Sequence, residues 1–155
     1  MRSRLLLPLL FLAPLLVGCD TSSKAIVTHK VTGQIFYDNK PAGKVQVYLL
    51  PTSAPTIPEI PANPHGITKE DGTFTITTFT EGDGAAEGGY QIILVWPEEV
   101  EPDAEATTDR LLGWYDAAHS KLTAQIKPGE NALPPIKLVA TKKLPDEVEG
   151  IPGRN

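Results

Sequence analysis

Proline and glycine interrupt this sequence so often that long helices have little room to form. The chain of 155 residues contains 15 prolines and 13 glycines. Proline breaks a helix, and glycine destabilises a helix interior. Beyond position 18, no stretch of ten or more residues shows convincing helical periodicity, and the nearest, residues 104–118, contains Gly113 and two adjacent threonines. We therefore expect an all-β protein with at most one or two helical turns in that segment.

Short segments in which apolar and polar residues alternate follow one another along the chain, as expected for β-strands. The most apolar is 90–96, and because both of its faces are apolar we expect it to lie centrally in a sheet. The other predicted strands are Val31–Tyr37, 44–50, 73–80, 122–126 and 133–139.

Turn-forming residues between these segments predict that neighbouring strands pair as hairpins. Residues 38–43 join the first two strands, Asp71 and Gly72 mark a second hairpin, and 128–131 precede the last strand. Six or seven short strands with turns between them favour one domain over residues 29–140. Its predicted architecture is an antiparallel β-sandwich of Greek-key type.

The inward-facing positions of these strands predict the core. Their burial is the main source of stability that a domain of this size has available. The predicted core residues are Val31, Ile35, Val45, Val47, Phe74, Ile76, Tyr90, Ile92, Leu94, Leu122, Ile126, Ile136 and Leu138.

The N-terminus has the features of a secretory signal. Residues 1–4 include two arginines, and 5–17 form an apolar stretch of 13 residues. Such a stretch is shorter than the roughly 20 residues needed to cross a bilayer as a helix. We expect residues 1–18 to be a signal peptide, 19–28 a tether, and 141–155, which has few apolar residues, a flexible tail.

The segment Leu16-Val17-Gly18-Cys19 resembles the bacterial lipobox. In lipoproteins of that kind the signal is cut before the cysteine, here between Gly18 and Cys19. A diacylglyceryl group is carried on the thiol, usually with a further fatty acyl chain on the new N-terminus. The resemblance implies that Cys19 anchors the protein to a membrane on the extracytoplasmic side of the bacterial cell envelope.

The β-strand pattern also resembles a known family. The residues that carry it are Val31-x-Gly33 in the first strand, the Asp71-Gly72-x-Phe74 turn, and the Gly89–Trp96 strand with Leu122–Leu138 after it. They resemble the carboxypeptidase regulatory-like domains over about residues 29–139. The resemblance implies a transthyretin-like (prealbumin-like) sandwich of about seven strands. The C-terminal motif of transthyretin-like hydrolases and the zinc motif of the carboxypeptidases are both missing from this sequence.

Composition and spacing argue against several functions. The formal net charge is −5, and losing Arg2 and Arg4 with the signal makes it two units more negative, so nucleic acid is a poor partner. Cys19 is the only cysteine, which excludes an internal disulfide. His29, His65 and His119 lack the spacing of a zinc site. We expect no metal, no cofactor and no enzymatic activity.

Four further features are candidates for binding or chemistry. Trp114 and Tyr115 are candidates for stacking on a sugar ring, although core packing is the favoured explanation of such a pair. The proline-rich loop 51–64 and the acidic loop 98–109 are expected to be a rigid spacer and a solvated flap. Lys30 and Asn131 are candidates for an isopeptide bond of the kind found in some surface-protein sandwiches that resemble this fold.

The sequence therefore predicts a lipid-anchored envelope protein whose β-sandwich has a structural or protein-interaction role. Its partners are the membrane, reached through Cys19, and an envelope protein or a glycan. The alternative is a carbohydrate-binding or peptidoglycan-binding module that uses Trp114 and Tyr115. A hydrolase has the least support, because no nucleophile and base are visible together.

Overall fold

A computed structural model describes residues 26–53, 63–98 and 108–140 of the chain. These residues form β-strands and turns, with no helix among them, which confirms the all-β prediction. The strands are β1 (Thr28–His29), β2 (Val31–Tyr37), β3 (Lys40–Pro41), β4 (Gln46–Pro51), β5 (His65–Ile67), β6 (Thr73–Thr75), β7 (Ala85–Ala86), β8 (Gly88–Val95), β9 (Thr123–Ile126), β10 (Asn131–Ala132) and β11 (Ile136–Leu138). Consistent with this, no helix in the described part of the chain is long and apolar enough to cross a membrane.

Two sheets face each other across one core. The first has the strand order β5-β4-β8-β9, and all its pairs are antiparallel. The second is built around β2, with β3 and β6 antiparallel on one side and β10 and β11 on the other. The strands β1 and β7 form a short separate pair. The prediction that 90–96 is central is confirmed, because β8 lies between β4 and β9.

The second sheet contains parallel pairs, so the prediction of a wholly antiparallel sandwich is wrong in this respect. β10 and β11 run parallel to β2, with Asn131 opposite Val31 and Ile136 opposite Ile35. The chain leaves β9 in the other sheet, crosses the end of the molecule and returns beside β2. Residues 127–130 reverse the chain once, so β10 begins at the end of the sandwich where β2 begins and runs beside it in the same direction.

The first predicted hairpin is shorter than the sequence suggests. Asp38 and Asn39 both have positive φ, at 48° and 61°, which is the geometry of a two-residue hairpin turn. The turn folds only Lys40–Pro41 back onto β2. The chain then crosses to the first sheet, where β4 pairs with β5 and β8. Pairing of the first two predicted strands is therefore wrong, because alternation specifies which face is buried and not which sheet a strand joins.

The second hairpin is confirmed as a turn, but its two arms belong to different sheets. Gly72 donates to the Lys69 carbonyl at 2.8 Å, and His65 and Thr77 exchange two backbone hydrogen bonds. The two arms are β5, which pairs with β4 in the first sheet, and β6, which pairs with β2 in the second. This hairpin therefore connects the two sheets along one side. The predicted final hairpin is wrong, because β9 pairs with β8 while β10 and β11 pair with β2.

The core lies between the two sheets and is close to the predicted one. All the predicted core residues are buried except Leu122, which is partly buried against the others. Five residues outside the predicted core set are also buried, namely Ala42, Leu49, Ala85, Trp96 and Leu111. Gly33 of the V-x-G pattern faces the Phe74 ring, which leaves no room for a side chain at that position. This contact explains why the first strand carries glycine there.

Candidate functional site

The outward-facing side of the first sheet carries no formally charged side chain. We call this surface the outer face. It consists of the side chains that alternate with the core residues along β4, β5, β8 and β9. Its members are Gln46, Tyr48, Leu50, His65, Ile67, Gln91, Ile93, Val95, Thr123 and Gln125. A charge-free surface of this size stands out on a chain in which 21% of residues are charged.

The strand register brings the apolar members of the outer face together. One row across the sheet places Ile67 and Val95 on either side of Gln46, and the next places His65 and Ile93 on either side of Tyr48. Ile67 is 60% exposed. The apolar side chains therefore form a contiguous patch with polar but uncharged side chains among them, which is the composition typical of a protein interface centre.

Hydrogen bonds and ring contacts fix several of these side chains. The rings of Tyr48 and His65 stack with centroids 6.3 Å apart and planes inclined at 27°. The Tyr48 hydroxyl donates to Oε1 of Gln46 at 3.0 Å. Nε2 of Gln91 donates to the carbonyls of Ala117 and Ser120 at 3.1 and 2.9 Å. A partner would meet side chains already held in place, and less conformational entropy is then lost on binding.

A cleft lies at the end of the sandwich where β8 finishes. Its volume is about 500 Å³, and it is lined by Pro41, Gly43, Lys44, Glu70, Trp96, Pro97, Glu98 and Arg110. The guanidinium of Arg110 lies 3.7 Å from the centre of the Trp96 ring, a cation–π contact. Tyr37 meets the same ring edge-on at 5.1 Å. Trp96 is only 8% exposed, so it completes the core, as predicted, and offers little ring surface to a ligand.

The base of the acidic loop is a short two-stranded ribbon. Glu98 donates its N–H to the Thr108 carbonyl, and Arg110 donates to the Trp96 carbonyl, at 2.9 and 2.8 Å. Asp109 joins the two sides, since its carboxylate accepts the N–H groups of Trp96, Leu111 and Gly113 at 2.9–3.0 Å. Residues 99–107 of this loop, which contain most of its carboxylates, lie outside the described residues.

Two other carboxylates also bind backbone N–H groups. Asp83 accepts from Thr78, Phe79 and Thr80. Burial raises the pKa of Asp83, but these hydrogen bonds outweigh it, and the pKa lies below its usual value of 3.8. Asp116 behaves in the same way: burial is outweighed by hydrogen bonds from His119 and Ala118, and its pKa is lowered. These carboxylates are ionised turn caps.

The three histidines lie in different parts of the fold. His29 is in β1 and accepts the N–H of Gly129 at 3.3 Å, His65 is on the outer face, and His119 holds Asp116 through Nδ1 at 2.8 Å. Within the described ranges, no three His, Cys, Asp or Glu side chains gather closely enough to hold a metal ion.

Ser120 has a structural partner. Its hydroxyl is buried and donates to the Ile92 carbonyl at 2.6 Å, while His119 beside it binds Asp116. Ser120 thus anchors the 116–122 segment to β8, and the contact between His119 and Asp116 lies within that segment. The neighbouring residues are not arranged as a nucleophile and base.

Trp114 and Tyr115 are both half-buried in the turn segment that runs beside β8. The Tyr115 carbonyl accepts the Leu94 N–H at 2.9 Å, and its ring packs against the core. Burial raises the pKa of the Tyr115 hydroxyl. Core packing accounts for Tyr115, and sugar binding by this pair stays a prediction.

The candidate isopeptide residues have other contacts. Nζ of Lys30 lies 3.4 Å from Oε1 of Glu130, and both side chains are more than half exposed. The Asn131 amide donates to the carbonyls of Lys127 and Gly129 at 2.9 and 3.2 Å, so it closes the turn before β10. Spontaneous isopeptide formation needs a buried acid beside the pair, and the nearest acid here is exposed.

Several of the sequence-based predictions concern residues outside the described ranges. They are the signal peptide, the cleavage site between Gly18 and Cys19, the lipid on Cys19, the greater part of the proline-rich loop, and the tail 141–155. The last described proline of that loop, Pro64, is fully buried, and its carbonyl accepts the Leu49 N–H at 2.8 Å. That end of the loop is therefore built into the first sheet.

Comparison with known proteins adds little beyond the architecture. No family model matches the sequence, and no curated protein matches it. Among solved structures, the chain is similar to a DUF3823 family protein from Bacteroides ovatus, at 13% identity and a TM-score of 0.40, over 73% of this chain and 45% of that one. It is similar to another from Parabacteroides merdae, at 15% identity and a TM-score of 0.38, over 76% and 47%.

A third similar structure is the dioxygenase domain of a dioxygenase–carbohydrate-binding fusion from a Streptomyces species. The identity is 20%, the TM-score 0.38, and the match covers 78% of this chain and 85% of that one. The chain spans less than half the length of the two DUF3823 structures. At these TM-scores the likenesses carry no argument about function.

Sequence reasoning missed the outer face and the cap formed by Asp109. The outer face was detectable in principle, because no charged residue stands at the outward positions of 46–50 and 91–95. Asp109 gave no such signal, since one carboxylate among many in an acidic segment is not distinguished by spacing.

Proposed function

We propose that this chain is a lipid-anchored lipoprotein of the bacterial cell envelope whose non-catalytic β-sandwich binds another envelope protein through the outer face. The observation that carries the interaction role is the absence of formal charge across that face, on a chain of net charge −5. On that face Ile67 is exposed, and Tyr48 and Ile93 are partly exposed. Charge depletion together with aromatic and other apolar side chains is typical of the centre of a protein interface.

The non-catalytic role is supported by how the polar side chains are used. Asp83, Asp109 and Asp116 bind backbone N–H groups, and the hydroxyls of Thr68 and Ser120 bind buried backbone atoms. Groups held this way stabilise turns. A catalytic acid or nucleophile needs an open side towards a substrate.

The anchoring role rests on the sequence around Cys19. Each buried CH₂ of an acyl chain contributes about 0.8 kcal/mol, so two or three chains hold a protein on a membrane where one alone does not. The resemblance to carboxypeptidase regulatory-like domains belongs to the same proposal. Domains of that type serve as non-catalytic modules beside other functions, which is compatible with a binding role here.

The anchor is tested by replacing the acylated thiol. Cys19→Ser is expected to move the protein from the membrane fraction to the soluble fraction and to abolish incorporation of a fatty-acid probe. A Ser23→Ala variant is the matched control and should remain acylated and membrane-bound. If Cys19→Ser stays in the membrane fraction, the anchoring role is wrong.

The outer face is tested by site-specific photo-crosslinking in cells. A photoreactive amino acid at position 67, where the native Ile67 is 60% exposed, is expected to form an adduct with one envelope protein. The matched control is position 139, because Val139 is 66% exposed and lies outside the outer face. Adding Ile93→Lys should remove the adduct, since a charge at the centre of an apolar contact is costly to desolvate. Equal labelling at both positions would contradict the proposal.

A further inference from the structure

The chain enters the sandwich at one end, and a lipid on Cys19 would keep that end near the membrane. The seven peptide steps from Cys19 to Ile26 span at most about 25 Å when fully extended. The first described strand, β1, follows directly at Thr28–His29. Whatever the orientation of the rest of the domain, Ile26 would therefore lie within about 25 Å of the lipid headgroups, and β1, two residues further on, within about 32 Å. This step rests on the proposed anchoring at Cys19.

Two loops lie beside β1 at the same end. Gly84, the last residue of the loop 76–84, packs so closely on the His29 carbonyl that no side chain fits there. Ile76, where that loop starts, donates to the Val31 carbonyl at 3.0 Å. The loop 127–131 lies on the other side, where the Asn131 N–H donates to the Lys30 carbonyl at 2.8 Å. We call β1 with these two loops the tether end.

The tether end holds an aromatic ring out into solvent on a rigid turn. Phe79 lies at the tip of the loop 76–84 and is 47% exposed. The Asp83 carboxylate accepts the N–H groups of Thr78, Phe79 and Thr80 at 2.7, 3.0 and 3.2 Å. On the same turn, Thr78 donates its hydroxyl to the Gly84 carbonyl. These hydrogen bonds hold the backbone that carries the Phe79 ring.

The topology puts the cleft at the opposite end of the sandwich. The strand β8 starts at Gly88, near the tether end, and finishes at Val95, immediately before the cleft residue Trp96. Val139 is also at that far end, because it follows Leu138, which pairs with the last residue of β2. Contact between the tether end and a bilayer would point the cleft away from the membrane.

We propose that the tether end is a lipid-docking surface, with Phe79 inserted among the headgroups and the sandwich standing on the membrane with its cleft outward. An aromatic ring is favourable at the depth where headgroups meet acyl chains. The acylated Cys19 makes the contact intramolecular, so even a weak contact is well populated. Val27, which is 67% exposed, adds apolar surface at the point of entry.

The charges at the tether end determine which lipids suit it. Glu81 and Glu87 are exposed beside the Phe79 turn and β7, Lys127 is exposed in the loop 127–131, and Lys30 is paired with Glu130 at 3.4 Å. The two glutamates outnumber Lys127, so negative charge prevails there. Anionic headgroups would repel the two glutamates. We therefore expect closer contact with phosphatidylcholine vesicles than with vesicles rich in phosphatidylglycerol, and the difference should shrink at high salt.

The sequence supplies a convenient way to test this. Cys19 is the only cysteine, and acylation consumes its thiol, so Thr80→Cys, which keeps the Phe79 ring beside it, gives one free thiol for an environment-sensitive fluorophore. Thr80 is exposed, and the turn uses its backbone N–H. The acylated full-length protein is reconstituted into phosphatidylcholine vesicles that carry nitroxide-labelled lipids. Val139→Cys, at the far end, is the matched control. We expect at least twofold quenching of the probe at position 80 and none above background at position 139.

Each outcome separates this inference from the anchoring proposal. Intact mass first shows whether the protein carries its acyl chains, and their absence would overturn both proposals. An acylated protein whose probe at position 80 is quenched no more than the probe at position 139 would overturn the docking surface alone. In the unlabelled protein, Phe79→Ser should make the loop 76–84 more accessible to protease on vesicles, while Phe79→Leu should leave it protected. Equal cleavage of the two variants would also contradict the docking surface.

Discussion

Single carboxylates stabilise this fold by binding backbone N–H groups that no strand pairs. Asp109 and Asp83 each accept three such hydrogen bonds. Each carboxylate stabilises a turn that lies next to a strand of the core. Hydrogen bonds to a charged acceptor contribute about 1.5–3 kcal/mol each when they are not fully exposed. The acidic composition thus has a structural purpose in the described part of the chain, beyond solubility.

The lowered pKa of Asp83 makes stability depend on acid. Its folded-state pKa lies below 3.8, so the ionised group stabilises the fold above about pH 3.8, and that contribution is lost as the pH falls through the folded-state value. We predict that Asp83→Asn reduces the loss of unfolding free energy between about pH 5 and about pH 2. Urea denaturation at each pH measures it, with Glu81→Gln on the same loop as the control. An unchanged slope in Asp83→Asn would contradict the cap.

Among the elements, the crossover from β3 to β4 depends on one buried threonine. The Thr68 hydroxyl donates to the Ala42 carbonyl at 2.6 Å and accepts the Val45 N–H at 2.8 Å. Its backbone binds Lys44 and Val45 as well. Lys44 has a φ of 65°, a backbone conformation that is unfavourable for residues other than glycine. Thr68 thus holds the chain where it leaves one sheet for the other.

We predict that Thr68→Val lowers the free energy of unfolding by about 2–6 kcal/mol. The change keeps the shape of the side chain but leaves a buried carbonyl and a buried N–H unpaired, at about 1–3 kcal/mol each. The half-exposed Thr75 of β6 provides the control, because Thr75→Val should change stability by less than about 0.5 kcal/mol. Equal midpoints for the two variants in urea would show that the hydroxyl does not hold the crossover.

At the scale of the whole molecule, one core joins the two sheets. Leu94 is fully buried and pairs with Val47 in the first sheet. The residue before it in β8, Ile93, has its side chain on the outer face. We predict that Leu94→Ala costs about 2–5 kcal/mol, from lost transfer energy and a residual cavity. Ile93→Ala should cost less than about 1.5 kcal/mol, because its side chain is only partly buried. Similar melting temperatures for the two variants would contradict this register.

The two ends of the molecule have different roles in our proposals. The tether end carries Phe79 and would face the membrane, and the far end carries the cleft with Arg110 over Trp96. The outer face lies between them, parallel to the long axis of β4 and β8. A partner in the envelope would then approach the anchored domain from the side.

The all-β class, most of the core and the tight turns at Asp38-Asn39 and Asp71-Gly72 can be predicted from the sequence alone. These features follow from local physics, since alternation fixes which side chains face inward and glycine, asparagine or aspartate permits the turn. Two features could not be predicted and are known from the three-dimensional structure: β2 and β4 lie in different sheets, and β10 and β11 run parallel to β2. Strand partners are chosen by the packing of the whole core, and a strand's own pattern is the same whichever sheet it joins. For the same reason, the tether end could be recognised only from the structure, which places β1 beside the loops 76–84 and 127–131.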